Sequence, residues 1–195
     1  MIWNMGWDSA RDLEAAHGLP AGSLHATLYG GDAWRLVERG RGDRETWLAG
    51  AHRALEELAG RPLPPLHSEW RALQAPIRTN IELVRALRPR HRTGILSNAD
   101  ATLRERLTNV VGVVDLFDDI VCSAEVGLAK PEPAIYALAC DRLGVPPGAC
   151  VFVDDHEANV DAATGAGLRA ILYRVDRGDD LRAQLATAGV AVARS

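Results

Sequence analysis

Apolar residues recur at helical spacing through the first 89 residues of the chain. Glycines and a proline-rich segment, residues 61–65, interrupt the pattern and separate one amphipathic stretch from the next. Acidic residues that can accept hydrogen bonds from a free helix N-terminus precede two of these stretches. The predicted helices are Ser9–His17, Ser23–Tyr29, two segments that Asp32 and Asp43 can cap, Trp70–Leu73 and Ile77–Leu87.

From residue 92 the pattern changes to short apolar runs that alternate with helical segments. The predicted strands are Thr93–Leu96, Ile120–Cys122, Cys150–Val153 and Ala170–Tyr173. The predicted helices between them are Ala101–Leu107, Pro133–Leu143 and Ala158–Ala166, and a weaker helix follows at Asp180–Ala186. This alternation predicts an α/β fold with a doubly wound parallel sheet, in which chemistry lies at the carboxyl ends of the strands.

Polar side chains stand where the first of these strands ends. Ser97 and Asn98 supply a hydroxyl and an amide there, and both groups can hydrogen-bond an anionic ligand. The same residue types are also common in simple turns and helix caps, so the pair alone is a weak signal.

Lys130 is the single lysine among 22 basic residues. It lies in the loop that follows the second strand, directly before Pro131. Pro131 disfavours a helical conformation at Lys130, and Pro133 can open the next helix. A solvated surface lysine is the plain alternative. The stiff frame and the exclusive use of arginine elsewhere favour a site that needs a compact ammonium group.

Two adjacent carboxylates, Asp154 and Asp155, follow the third strand, and Asn159 lies shortly beyond them. Like charges this close repel unless a cation or strong donors compensate. Mg²⁺ accepts one or two carboxylates and keeps water and phosphate as further ligands, so the pair predicts a magnesium site. A pair that caps the following helix is the alternative.

The composition excludes several classes of function. The chain has 195 residues, 47% of them apolar, and a net charge of −4. Clustered cations for nucleic acid or an anionic membrane are absent from the sequence, and no apolar stretch reaches bilayer length. Three loosely spaced cysteines and no signal-peptide pattern predict a reduced, cytoplasmic protein.

The polar groups at the three strand ends follow one another in an order that resembles the haloacid dehalogenase (HAD) superfamily, in its branch with a helical cap. The matching segments are Ile95–Asn98, Gly127–Pro133 and Val151–Asp155 continuing to Asn159. The resemblance implies a Rossmann-like core of residues 79–195, a cap of residues 9–78 and a first-strand remnant of residues 1–8.

The resemblance also implies roles for these residues and a Mg²⁺ cofactor. Ser97 and Asn98 hold the transferring phosphoryl group, and Lys130 neutralises charge. Asp155 binds the metal and Asp154 is a closely associated or water-mediated partner, with Asn159 in support. The implied substrate is a small phosphorylated molecule.

One element of the family pattern does not match. The family opens with a central strand that ends in an aspartate nucleophile, whereas this chain opens with Met-Ile-Trp-Asn-Met-Gly-Trp-Asp. In one alignment Asn4 occupies the nucleophile position, and an amide cannot act as that nucleophile. In the other, which the spacing to His17 favours, the strand and its aspartate lie upstream of Met1. Asp8 resembles a helix N-cap.

These observations lead us to expect a Mg²⁺-dependent phosphatase whose nucleophile is absent from the printed sequence. Dehalogenation is a near variant of the same chemistry. A catalytically inactive homologue that binds phosphorylated ligands, and an enzyme recruited to other chemistry, stay open. The cap tryptophans Trp34 and Trp47 are expected to pack in the cap and not to select the substrate.

Overall fold

The computed structural model describes residues 2–192 and has an α/β architecture. Helices account for most of the first half, as the apolar periodicity predicts. Their bounds are α1 (Trp7–Ala16), α2 (Ser23–Tyr29), α3 (Asp32–Val37), α4 (Arg44–Ala59), α5 (Leu66–Leu73) and α6 (Arg78–Leu87). No helix within residues 2–192 has both the length and the apolar character that crossing a bilayer needs.

The helices α1 to α5 enclose an apolar cluster of their own. Leu24, Leu55 and Leu66 are completely buried in it, and Trp70 is buried against the ring of Trp7. Asp43 caps α4 as predicted, because its Oδ1 accepts the backbone N–H of Thr46 at 2.7 Å. The cap-and-core division at residue 78 stays a prediction, and this separate cluster is consistent with it.

Four parallel strands and five helices form the second half of the chain as far as residue 192. The strands are β3 (Gly94–Ser97), β4 (Asp119–Cys122), β5 (Val151–Asp154) and β6 (Arg169–Leu172), each within one residue of its predicted position. The helices are α7 (Leu103–Arg106), α8 (Ser123–Val126), α9 (Pro133–Leu143), α10 (Glu157–Gly165) and α11 (Leu181–Thr187). A π-helical turn at Leu107–Val111 extends α7.

The four strands form two separate pairs and not the single continuous sheet that the sequence predicts. β3 pairs with β4 in register Ile95 to Ile120, and β5 pairs with β6 in register Phe152 to Ala170. Within the described residues, β3 and β5 each have one strand neighbour. A cavity of about 1390 Å³ is lined by every residue of both strands.

The N-terminal residues form a different strand. Trp3–Asn4 is β1, which pairs antiparallel with β2 (Ala75–Pro76) and not with the parallel strands. Asp8 is not the N-cap that the sequence suggests. Gly6 takes that position with φ 65°, and Asp8 lies in the first turn, where its carboxylate pairs with Arg11 at 3.1 Å. Met1 lies outside the described residues.

Candidate active site

The side chains predicted from the strand ends lie along one cavity. Those that line it are Asn4, Ser97, Asn98, Lys130, Asp154, Asp155 and Asn159. Parallel strands bring their carboxyl ends to the same edge of the structure, so residues that are distant in sequence meet there. This edge of the cavity is polar, whereas its walls include the apolar side chains of Leu83, Ile95 and Phe117.

Asn98 fixes the position of Lys130. Its Nδ2 donates to the Lys130 carbonyl at 2.9 Å, and its Oδ1 accepts the Lys130 backbone N–H at 2.8 Å. Both ends of the amide are therefore engaged within the protein. Ser97 differs, since its hydroxyl makes no hydrogen bond within the described residues and is available to a ligand.

The lysine ammonium forms the strongest charge pair of the site. Lys130 Nζ lies 2.6 Å from Asp154 Oδ2, with both side chains at least nine-tenths buried. The other carboxylate oxygen accepts the His156 N–H at 2.9 Å and Asn159 Nδ2 at 3.0 Å. Burial acts to raise the pKa of Asp154, but the Lys130 charge and these hydrogen bonds outweigh it and hold the pKa below its ordinary value.

Asp155 is the less engaged of the two carboxylates. Its backbone carbonyl accepts Arg174 Nη1 at 3.0 Å, but its side chain makes no hydrogen bond or ion pair within the described residues. Hard oxygen donors on adjacent residues fit Mg²⁺, which needs only one or two carboxylates from the protein. Three or more His, Cys, Asp or Glu side chains do not cluster as metal ligands anywhere in residues 2–192.

Asn4 also lines the cavity, but its side chain stabilises the turn before α1. Its Oδ1 accepts the Gly6 N–H at 2.9 Å in the turn that leads into α1. The residue is exposed and belongs to β1. Nothing in this geometry gives the amide a nucleophilic role.

The N-terminal strand, the helices α1 and α2, and the end of α7 contribute cavity residues that the sequence analysis did not identify. They are Trp3, Trp7, Arg11, His25 and Arg106. No motif marks them, because they come from separate helices and loops. Trp34 and Trp47 do not line the cavity. Trp47 is buried with its Nε1 donating to the Leu28 carbonyl at 2.6 Å, and Trp34 packs, half-buried, against the same apolar cluster of α1 to α5.

Comparison with known sequences places this chain in a known family. A family described as hydrolase, haloacid dehalogenase-like hydrolase, matches residues 13–167. The chain is 37% identical over 89 residues to Protein CbbY of Rhodobacter capsulatus, covering 45% of this chain and 38% of that protein. It is 36% identical over 92 residues to Phosphatase MT3486 of Mycobacterium tuberculosis, covering 47% and 42%. These alignments thus span less than half of each relative.

Solved structures agree on the fold. HAD family enzyme BT-2542 from Bacteroides thetaiotaomicron, determined with magnesium and inorganic phosphate, superposes with a TM-score of 0.67 at 18% identity and covers 94% of this chain and 93% of that one. L-2-haloacid dehalogenase from Xanthobacter autotrophicus superposes with a TM-score of 0.61 at 22% identity, covering 87% and 72%. The protein therefore belongs to the haloacid dehalogenase-like hydrolase family.

Proposed function

We propose that the protein is a Mg²⁺-dependent phosphohydrolase of a small phosphorylated metabolite. The observation that carries this proposal is the buried Lys130–Asp154 pair, which lies at one cavity edge with the free hydroxyl of Ser97 and the free carboxylate of Asp155. A phosphoryl group needs cations and donors around its oxygens, and this edge offers both. The phosphatase relatives support the same reaction class.

Each side chain has a distinct task in this proposal. The Ser97 hydroxyl donates to a phosphoryl oxygen, and the Lys130 ammonium balances the charge of phosphate and carboxylates. Asn98 acts as a positioning residue, because its amide is bonded to the Lys130 backbone. Asp155 would hold Mg²⁺, which supplies further charge neutralisation when bound. Asn159 supports the site through its bond to Asp154.

The attacking group belongs in the gap between β3 and β5. We infer that a carboxylate at the carboxyl end of a strand in this gap attacks phosphorus and displaces the alcohol. Water then hydrolyses the acyl phosphate, which releases inorganic phosphate and restores the carboxylate. None of residues 2–192 occupies the gap as a strand, and Asn4 offers only an amide.

A peptide-complementation experiment tests this proposal. Residues 1–195 would be mixed with Mg²⁺, p-nitrophenyl phosphate and a synthetic apolar eight-residue peptide that carries aspartate after its last apolar residue. We expect phosphate release with this peptide and none with the matched asparagine peptide, although both bind in calorimetry. Release of chloride from 2-chloropropionate, with no release of phosphate, would identify a dehalogenase instead.

The alternative function is that of a phosphate-binding module without turnover. It is favoured by the one observation that no strand within residues 2–192 lies between β3 and β5 to present a carboxylate there. Under this reading, residues 1–195 bind inorganic phosphate through Lys130, and the aspartate peptide binds but produces no phosphate release. That outcome would overturn the hydrolase proposal and retain the ligand site.

A further inference from the structure

A group of arginines lies just beyond the phosphate edge, around one buried carboxylate. Asp100 follows Asn98 by two residues and is 4% exposed. Its Oδ2 accepts Arg44 Nε at 3.1 Å and lies 4.0 Å from Arg71 Nη2. Its Oδ1 accepts the Thr102 N–H at 2.9 Å. The single carboxylate is thus shared by two guanidinium groups from α4 and α5.

A third guanidinium adds to this charge. Arg106 lies with Cζ 6.0 Å from the centre of the Trp3 ring, and it has no carboxylate within 4.0 Å in the described part of the chain. Burial lowers the pKa of Arg71, and the nearby charges of Arg106 and Arg44 lower it further. Arg44 and Arg71 share one carboxylate and Arg106 has none, so the three cations leave an excess of positive charge.

A neutral donor completes the arrangement. Tyr29 is half-buried, and its hydroxyl makes no hydrogen bond within residues 2–192. Burial raises the pKa of Tyr29, while Arg71 and Arg106 lie near enough to oppose the rise. The phenol therefore stays protonated at neutral pH and can donate to an anion beside the two guanidinium groups.

We propose that Arg71, Arg106 and Tyr29 form a subsite for a carboxylate on the substrate, separate from its phosphate. Planar guanidinium groups bind carboxylates in bidentate fashion. An anion also stabilises a partly buried cluster of cations. Of the three residues, Arg106 lines the same cavity as Ser97, which places one guanidinium group of the subsite within reach of a small bound molecule. The inference rests on the proposed function and narrows its substrate class to phosphorylated carboxylic acids.

Two probes that differ in one group test the subsite. 3-Phosphoglycerate and glycerol 3-phosphate share a phosphate and a three-carbon chain, and only the first has a carboxylate. Calorimetry with residues 1–195 and Mg²⁺ should show 3-phosphoglycerate binding on the order of tenfold more tightly. Arg106→Gln and Tyr29→Phe should each reduce that preference and leave glycerol 3-phosphate affinity unchanged. Arg106→Lys should restore part of it.

The controls separate this role from general charge and from folding. Arg53→Gln removes an exposed cation of α4 with no ion pair in the described residues, and it should preserve the preference. Equal affinity of the wild-type chain for the two probes, or equal weakening of both by Arg106→Gln, would overturn the subsite alone. Failure of both probes to bind would overturn the phosphate site together with it.

Discussion

The side-chain amide of Asn98 brackets the backbone of Lys130, donating to its carbonyl at 2.9 Å and accepting its N–H at 2.8 Å. The two residues lie 32 positions apart, one just after β3 and the other in the loop after α8. This bracket holds the lysine loop against the strand end. The ammonium can then reach Asp154, the last residue of β5, which lines the same cavity.

Replacing Asn98 with alanine should release this loop. The change removes two hydrogen bonds to part-buried backbone groups, so we expect a loss of about 1–3 kcal/mol in the free energy of unfolding. Phosphate affinity should fall by about tenfold because Lys130 is no longer held in place. Urea unfolding and phosphate titration measure the two effects. Asn109→Ala, at an exposed position, is the matched control, and equal behaviour of the two variants would contradict the prediction.

The Lys130–Asp154 pair predicts a pH dependence of stability. Because the folded-state pKa of Asp154 is below its ordinary value, its stabilising contribution is complete above about pH 4 and is lost as the pH falls through the folded pKa. Lys130→Met leaves a buried carboxylate without its cation. The free energy of unfolding of the variant should be about 3–5 kcal/mol below that of the wild type at pH 7.

The difference in the free energy of unfolding between this variant and the wild type should then become smaller as the pH is lowered from 7 to 4. Without Lys130, burial of Asp154 meets less opposition, so its pKa rises and protonation relieves the buried charge. Urea denaturation at several pH values checks this. A loss of stability that stays constant across the range would show that the pair contributes mainly through packing against the ring of Phe152.

The sequence predicted the elements that follow simple rules of periodicity and strand ends. Pro133–Leu143 and Ser23–Tyr29 have the predicted bounds, and Ser97, Lys130 and Asp154, which were predicted because each follows a predicted apolar strand, line one cavity. Asp8 was misassigned because Gly6, which can adopt φ 65°, takes the N-cap position two residues earlier. The pairing of strands failed as a prediction, since a break between β3 and β5 leaves no local pattern.

The cap side of the site could not be predicted for a different reason. Arg71, Arg106 and Tyr29 come from three separate helices, α5, α7 and α2, and none belongs to a motif. Arginine is also the general basic residue of this chain, so its presence at one position carries little information. Only the common approach of Arg44 and Arg71 to Asp100 distinguishes these arginines from solvated ones.

Glu14 is predicted to stabilise the cap by joining two helices. The residue is 1% exposed, and its carboxylate accepts the backbone N–H groups of Gly22 and Leu24, each at 2.7 Å, at the start of α2. Glu14→Gln would turn one acceptor into a donor that faces an N–H group. We expect the free energy of unfolding, measured by heat or urea, to fall by about 1–3 kcal/mol. Glu45→Gln, on the exposed first turn of α4, should change stability by less than about 0.5 kcal/mol.

The thiols of Cys140 and Cys150 should differ in reactivity. Their sulfur atoms lie 3.4 Å apart, and burial together with the neighbouring thiol raises the pKa of Cys140 to about 12. Since the thiolate is the reactive form, Cys140 should resist iodoacetamide in the folded protein at pH 8, whereas the half-buried Cys150 reacts faster. Peptide mapping by mass spectrometry gives both rates. Equal rates of iodoacetamide modification of Cys140 and Cys150 in the folded protein would contradict this prediction.

Asp155 should control metal binding without affecting the fold. Its side chain makes no internal contact of the hydrogen-bond or ion-pair kind in residues 2–192, so Asp155→Asn should leave the melting temperature unchanged. In the presence of phosphate, the affinity of the Asp155→Asn variant for Mg²⁺ should fall by at least about tenfold, because an amide is a neutral and weaker ligand for a hard cation. Asp161→Asn, an exposed change on α10, serves as the charge-matched control. If both variants bind Mg²⁺ as tightly as the wild type, the metal does not lie at Asp155, and Asp154 must be tested in its place.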